Sequence, residues 1–366
     1  MKAILVGFFL AWGIVLLLLR YSKWHIRFSA DADLSGVQKF HIGAVPRIGG
    51  IAIFIGLVGG IATYAWANES VIVEAVLVLL SALPVLLIGL LEDLTKKVGA
   101  GTRLVGAFIS AGLAGFLLNT WLVNVQFFGL DYLLAIPFFS IVFTCVAVAG
   151  VTNAFNLIDG YHGLVGVVAL MILLAIAYVA LIVRDLVVMA CAFSSIGAII
   201  GFLFWNYPRG RIFLGDGGAY LIGFWIAELS VLLVMRNPEV SKWFPVLVCF
   251  YPIFETLFTI YRRRFIKQTH IGMPDAAHLH QIIYARLVRW GVGDDSPRSR
   301  NRRNYLTSPY LWLLCSLSVI PAMLFWDQKY LLQGFIILFC VSYIYLYRAI
   351  VQFRVPKWMI LRKPDL

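Results

Sequence analysis

Apolar residues form eleven long runs along the chain, separated by shorter polar segments. Each run approaches the roughly 20 residues that an α-helix needs to cross a bilayer, and the pattern is helical rather than the short alternating strands of a membrane barrel. The first run is not followed by a small-residue cleavage site, so we expect it to be retained. The pattern predicts an all-α, polytopic membrane helix bundle of about eleven transmembrane helices, at about 3–19, 48–67, 71–91, 104–121, 130–150, 163–183, 186–205, 218–235, 243–260, 308–326 and 330–347.

Composition agrees with this interpretation. The 366 residues are 61% hydrophobic and 13% charged, with a mean hydropathy of +0.89, whereas a soluble domain has about a quarter charged residues. All five cysteines fall within apolar runs, which predicts small buried hydrophobic side chains rather than a metal site. We expect one transmembrane catalytic domain over residues 1–350 and a cytoplasmic tail over 351–366.

The basic residues predict the orientation of the bundle. If the N-terminus is outside and the C-terminus cytoplasmic, all but five of the 30 lysines and arginines fall on the cytoplasmic side, as the positive-inside rule requires; the exceptions are Lys2, Arg184, Arg236, Lys242 and Lys329. This placement accounts for the net charge of +12 without a nucleic-acid partner. A basic cytoplasmic face also favours anionic membrane lipids and phosphate-bearing substrates.

The stretch NAFNLIDGYHGL carries polar groups where a predicted span meets water. Asn153, Asn156, Asp159 and His162 recur every three residues, a spacing that keeps neighbouring groups on one broad face if the segment is helical. Hydrocarbon contact would penalise each of them. We interpret the stretch as the floor of an active site; the alternative is a polar interface between helices.

Two further segments bring charged groups to the same side. Glu92 and Asp93 end the third predicted span and precede Lys96 and Arg103; adjacent acids in a partly dry site raise one pKa or attract a cation, although a solvated helix end would look alike. Asp216 lies between two glycines just before the eighth span. It could cap that helix, or the glycines could let a metal or phosphate approach.

Cationic groups surround these acids. Lys39, His41 and Arg47 precede a glycine pair that suggests a turn close to a ligand, although flanking positive charge is a sufficient explanation for Arg47. His278 and His280 follow the ninth span. They cannot both face one side of a regular helix, which disfavours zinc; imidazoles beside a membrane suit diphosphate binding better.

Carboxylate and amide oxygens suit Mg²⁺, or Mn²⁺, held by one or two protein groups with water and phosphates completing the shell. Together with the surrounding cations, they favour phosphoryl transfer between a soluble and a lipid reactant. A polytopic transporter is the alternative of a different class. It would use the mid-span acids Glu228 and Glu255, for which hydrogen bonding between helices is the expected role.

At these residues the chain resembles the bacterial polyprenyl-phosphate N-acetylhexosamine-1-phosphate transferases, which include phospho-N-acetylmuramoyl-pentapeptide transferase. The resemblance is carried, in family order, by PRIGG, GLLEDL, NAFNLIDGYHGL, FLGDGGAYLIGF and PDAAHLHQ. Eleven spans and HLHQ resemble the branch that starts O-antigen, common antigen or teichoic acid more than the peptidoglycan branch. The resemblance implies that a UDP-N-acetylhexosamine and undecaprenyl phosphate give undecaprenyl-diphospho-N-acetylhexosamine and UMP, on the cytoplasmic face of the bacterial inner membrane.

The resemblance also implies roles for individual residues. Asp216 would hold Mg²⁺ with Asn156 as co-ligand, Glu92 and Asp93 would meet the lipid phosphate, and Asp159 would lie in the nucleotide-sugar site. The predicted substrate-binding residues are Lys39, His41, Arg47, Lys96, Arg103, Asn153, His162, His278 and His280. The resemblance does not decide whether the donor sugar is N-acetylglucosamine or an N-acetylated 6-deoxyhexose. It also leaves open whether the protein forms a homodimer.

Three positions depart from the family pattern. Glu92 replaces an aspartate, His162 stands where many members have aspartate, and Gln281 replaces a common histidine. Since a phosphate monoester has its second pKa near 6 and is mostly dianionic at neutral pH, a catalytic base is not required. We therefore expect direct attack of the lipid phosphate on the β-phosphorus, with the acids positioning charge.

Overall fold

The protein is a bundle of α-helices in a computed structural model that describes residues 1–31, 45–266, 277–288, 296–356 and 359. One pair of two-residue antiparallel strands, Ala30–Asp31 and Val45–Pro46, flanks the first polar loop. The helices are α1 Lys2–Arg20, α2 Ser22–Ser29, α3 Gly49–Ala67, α4 Ile72–Thr95, α5 Ala100–Leu118, α6 Leu130–Leu134, α7 Pro137–Leu157, α8 Leu164–Val183, α9 Leu186–Asn206, α10 Gly215–Arg236, α11 Phe244–Val248, α12 Phe250–Tyr261, α13 Leu279–Ile283, α14 Pro297–Leu324 and α15 Lys329–Val351.

Ten of these helices in the described residues are long and apolar enough to cross a membrane, which confirms the all-α, polytopic prediction. The predicted span at 243–260 differs because it is two helices, α11 and α12, separated at Cys249. Pro252 supplies the reason. A proline has no backbone N–H, so the carbonyl of Val248 loses its helical donor and the helix breaks near that residue.

Helix α10 forms the centre of the bundle. Every residue from Gly215 to Val234 is buried, and α3, α4, α5, α7 and α8 pack around it. A helix that is apolar on all sides is stable only when it is enclosed in this way. The first turn of α10, with Asp216, therefore lies inside the end of the bundle rather than at its surface.

Glycines allow this first turn to approach its neighbours closely. A Cβ added to Gly89 of α4 would lie 2.5 Å from the Cα of Gly217, and a Cβ on Gly50 of α3 would lie 2.5 Å from the amide nitrogen of Gly218. Real Cβ atoms do not come that close to backbone, so only glycine permits these crossings. The contacts bring the end of α4 and the start of α3 against the start of α10.

The opposite end of α10 is held by ion pairs. Asp185 accepts from the first amides of α9 and from Arg236 Nε at 2.9 Å, and Arg236 also pairs with Glu74 at the start of α4. Asn237 donates to the same aspartate at 3.0 Å. Both ends of the central helix are thus fixed to α4, which leaves the helix little freedom to slide.

Replacing Gly89 with alanine is expected to destabilise the bundle by about 1–3 kcal/mol, because the methyl group would force α4 and α10 apart. The measurement is the thermal midpoint of the detergent-solubilised protein. Gly334→Ala is the matched control, since no atom in the described part of the chain lies within 4 Å of a Cβ at that position. Equal midpoints for the two variants would contradict the close crossing.

Candidate active site

Asp93 connects the end of α4 to the start of α10. Its side chain is fully buried, and its two carboxylate oxygens accept hydrogen bonds from the amides of Asp216 and Gly217, each at 2.8 Å. These amides have no partner within the helix, so the carboxylate satisfies them and also faces the positive end of the helix dipole. The cap of α10 is therefore Asp93, and the interpretation of Asp216 as a capping residue is wrong.

Two arginines neutralise the carboxylates at this point. Arg47 places Nη2 3.6 Å from Asp216 Oδ1 and Nε 3.9 Å from Asp93 Oδ1, and Arg103 Nη1 pairs with Asp216 Oδ2. The Arg103 guanidinium also lies over the ring of Tyr220, 5.8 Å from its centre. We call Arg47, Asp93, Arg103 and Asp216 the ionic cluster. In this partly buried setting each charge depends on its opposite partner.

The segment NAFNLIDG reaches this cluster from α7. Asn153 and Asn156 lie in the last turns of the helix, and Asn153 Oδ1 accepts from the Tyr220 hydroxyl at 3.1 Å. The helix ends at Leu157, so Asp159 and His162 lie in the following loop, and the helical spacing argument holds only for the two asparagines. The structure keeps the two asparagines on the helix and turns the chain before the acid.

Asp159 is exposed to water, but many protein atoms surround its carboxyl group. Desolvation there raises the pKa of its carboxyl to about 7; the charge of Arg47 opposes this rise and that of Asp216 adds to it. Asp159 is therefore close enough to Arg47 and Asp216 to feel their charges. The loop acid and the ionic cluster belong to one site.

His162 is buried among packed groups. Its ring stacks on Phe213, with 5.5 Å between centres and 22° between planes. Its amide donates to Asn304 and its carbonyl accepts from Ser308, both of α14. These contacts join the Asp159 loop to the loop before α10, and the expected contact of His162 with a substrate stays a prediction.

The histidine pair, His278 and His280, lies next to the loop that carries Asp159. The two rings stack on one side with 5.3 Å between centres and 2° between planes, so the premise that both histidines lie on one regular helix is wrong. His278 precedes α13 and has extended backbone angles (φ −65°, ψ 149°), which removes it from helical geometry. Among the described residues no three histidine, cysteine or acidic side chains are grouped to hold a metal ion.

His280 faces the loop that carries Asp159. A Cβ built on Gly160 would lie 3.5 Å from His280 Nε2, and the ring of Tyr161 packs edge-on against the imidazole with 5.5 Å between centres. Burial, with added repulsion from His278 and Arg262, lowers the pKa of His280 to about 3. The ring is therefore neutral at physiological pH. One of its nitrogens, Nδ1, is buried and has no hydrogen-bond partner among the described residues.

The other predicted residues have these positions. Glu92 Oε2 accepts from the amide of Val98 at 2.7 Å, and Lys96 Nζ donates to the carbonyl of Asp93 at 2.8 Å, so both fasten the turn after α4. Lys39 and His41 lie outside the described residues. Sequence reasoning missed Tyr220, although it lies one helical turn after Asp216 and thus on the same face.

The fold and this site define a helical integral membrane protein with an ionic cluster at one end. The family described as "Glycosyl transferase family 4" matches residues 75–234, from α4 to α10. The "Probable undecaprenyl-phosphate N-acetylglucosaminyl 1-phosphate transferase" of Bacillus subtilis (strain 168) is 31% identical over 257 residues, covering 69% of each chain. The chain belongs to glycosyl transferase family 4.

Two further relatives extend the comparison. The "Undecaprenyl-phosphate alpha-N-acetylglucosaminyl 1-phosphate transferase" of Thermotoga maritima is 29% identical over 262 residues, or 70% of this chain and 74% of the relative. The "Phospho-N-acetylmuramoyl-pentapeptide-transferase" of Leuconostoc mesenteroides is 28% identical over 204 residues, or 51% of this chain and 62% of the relative. The predicted family resemblance is confirmed.

Asp93→Ala is expected to lower the thermal midpoint clearly, because it leaves two buried amides of α10 without acceptors, at about 1–3 kcal/mol each. Glu92→Ala is the neighbouring control, since Glu92 is partly exposed and accepts from the loop amide of Val98. Its midpoint should change much less. A larger loss for Glu92→Ala would contradict the capping role of Asp93.

Proposed function

We propose that the protein transfers N-acetylglucosamine 1-phosphate from UDP-N-acetylglucosamine to undecaprenyl phosphate. A lipid phosphate oxygen forms a bond to the sugar-bearing β-phosphorus, and the bond from that phosphorus to the oxygen bridging to the α-phosphorus breaks, so UMP leaves with the bridging oxygen. The main observation in support of this function is that the ionic cluster lies beside an apolar groove, where a charged donor and a lipid acceptor can meet. The names of the relatives support the choice of substrates.

The groove suits a polyprenyl chain. It has a volume of about 710 Å³ and lies between α5, α7, α10 and the split helix α11–α12. Leu104 and Asn153 line it near the ionic cluster, and Phe127 and Trp243 line it farther along. Because Asn153 accepts from Tyr220, which in turn packs on Arg103, the groove connects to the cluster. A lipid phosphate at its inner end would reach the arginines.

We assign different side chains of the protein to different parts of the substrates. Guanidinium groups bind phosphate oxygens through paired N–H donors, so we assign Arg47 and Arg103 to the phosphates. His278 and His280 approach from the Asp159 side and are assigned to the sugar diphosphate. Both oxygens of Asp93 accept helix amides, so we assign it to positioning Asp216 rather than to contact with the lipid phosphate or removal of a proton.

The donor set fits magnesium. Asp216 and Asn156 offer oxygen ligands of the hard type that Mg²⁺ prefers, and the charge of Asp216 contributes to the raised pKa of Asp159, a repulsion that a divalent cation would relieve. Asp216 and Asn156 would hold the ion, and Mn²⁺ would satisfy the same donors. When bound, the ion supplies neutralisation of diphosphate charge as UMP leaves.

A transport function is disfavoured by the contacts of the two mid-span acids. A transporter would need mid-span acids available for coupling, but Glu228 accepts from Thr120 at 3.0 Å and Glu255 accepts from Tyr343 at 2.5 Å. As expected, these acids join neighbouring segments. The peptidoglycan branch stays the closer alternative, and a panel of UDP-sugars would separate it from N-acetylglucosamine and 6-deoxyhexose donors. We place the site on the cytoplasmic face of the bacterial inner membrane, where nucleotide sugars are found.

The purified protein is expected to release UMP from UDP-N-acetylglucosamine in detergent when undecaprenyl phosphate and Mg²⁺ are both present. EDTA should stop the release, and Mg²⁺ or Mn²⁺ should restore it. Asp216→Ala should abolish turnover with the protein still folded, because Asp93 remains to cap α10 and to pair with Arg47. A wild-type protein that makes no UMP with any UDP-sugar would contradict the proposed function, and full turnover of Asp216→Ala would remove this residue as the metal ligand.

Filling the groove is expected to weaken lipid binding alone. Gly150 lines the groove, and no described residue lies within 4 Å of a Cβ built there, so Gly150→Leu places a side chain in the lipid path without a backbone clash. We expect KM for undecaprenyl phosphate to rise about tenfold, with KM for the UDP-sugar unchanged. Gly334→Leu, on α15, is the control. A rise in KM for the UDP-sugar instead would contradict the assignment of the groove.

A further inference from the structure

Glu255 is a carboxylate inside the bundle that the mechanism above does not use. It lies six residues before the end of α12, which places it about 9 Å along the helix from that end, and its exposed fraction is 1%. Its two oxygens receive three hydrogen bonds: Oε2 from the Tyr343 hydroxyl, and Oε1 from His278 Nδ1 and from the Leu279 amide, both at 3.2 Å. A buried carboxylate with three donors is a fixed acceptor.

This acceptor determines which nitrogen of His278 carries a proton. A carboxylate can only accept, so Nδ1 must be the protonated nitrogen, and the Thr259 hydroxyl lies 3.2 Å from the same atom. The other nitrogen, Nε2, is then an acceptor in the neutral ring and a donor in the imidazolium, whose charge Glu255 would balance. The contact therefore defines the tautomer as well as the orientation of His278.

The orientation of His278 also affects that of His280. The His278 and His280 rings are parallel and in contact, and His280 Nε2 faces Gly160 beside Asp159. Helix α13, which carries His280, is buried along its whole length, and the Leu279 amide is held by Glu255. Moving the carboxylate would shift both rings relative to the loop that carries Asp159.

We propose that Glu255 is a positioning residue for the transfer reaction, acting through His278 to place the histidine pair against the Asp159 loop. The proposal rests on the proposed function. The Glu255–Tyr343 hydrogen bond joins α12 to α15, which is a structural role. The proposal goes further, because Glu255 also holds His278, and His278 faces the donor side of the site. A merely structural anchor would leave substrate affinity unchanged.

The test compares Glu255→Gln with Glu228→Gln. Because His278 Nδ1 and the Leu279 amide share Oε1, a glutamine that keeps both donors must turn its NH₂ group toward the Tyr343 hydroxyl. The substitution therefore removes the negative charge and the Tyr343 contact, so His278 is held by a weaker acceptor. We expect kcat/KM to fall about tenfold or more, with a higher KM for UDP-N-acetylglucosamine, an unchanged KM for undecaprenyl phosphate and a thermal midpoint near wild type. Glu228 is equally buried and bound to a single hydroxyl, so Glu228→Gln should stay within about threefold.

The same substitution in a His278→Ala background completes the test. If Glu255 acts through His278, adding Glu255→Gln there should change kcat/KM by less than about threefold. Additive losses, or a lower kcat with both KM values unchanged, would overturn the positioning role. If Glu255→Gln does not fold, Glu255→Asp takes its place, since it keeps the charge but withdraws the oxygens by one methylene. Wild-type protein without turnover would overturn the proposed function itself, whatever the variants do.

Discussion

The capping of α10 by Asp93 is the interaction on which the site depends. A helix that begins inside a membrane bundle has amides that neither water nor the helix can satisfy. Asp93 satisfies two of them from α4, and the glycine crossings at Gly89 and Gly50 let the three helices come close enough for this. Once Asp93 is fixed, Asp216 can point only into the end of the bundle. The acid of the site is positioned by the backbone of its own helix.

The cap brings two negative charges together, and two arginines balance them. Asp93 and Asp216 place two carboxylates next to each other in partly dry surroundings, where unpaired charges are costly. Arg47 contacts both, and Arg103 holds the outer oxygen of Asp216. The same guanidinium groups are suited to phosphate oxygens. The charge balance of the fold thus holds in place two groups whose chemistry suits phosphate.

The sequence predicted the helical membrane bundle, the family and most of the residues that meet at the site. Span prediction succeeds because length and hydropathy are local properties, and Arg47, Arg103, Asp159 and Asp216 were recognisable from motifs. The role of Asp93 was not, because its partners lie more than 120 residues away in the chain. The histidine argument failed because it assumed helical geometry at His278, whereas the backbone there is extended. The break at Cys249 follows from Pro252, whose effect the hydropathy pattern does not register.

The broken helix gives α12 two separate faces. Ile253, Thr256, Leu257 and Ile260 line the groove, and their spacing places them on one side of the helix. Glu255 and Thr259 lie on a different side and hold His278. One short helix thus contacts both the proposed lipid path and the group that orients the histidine pair. A chain bound in the groove would therefore contact the same helix that carries Glu255.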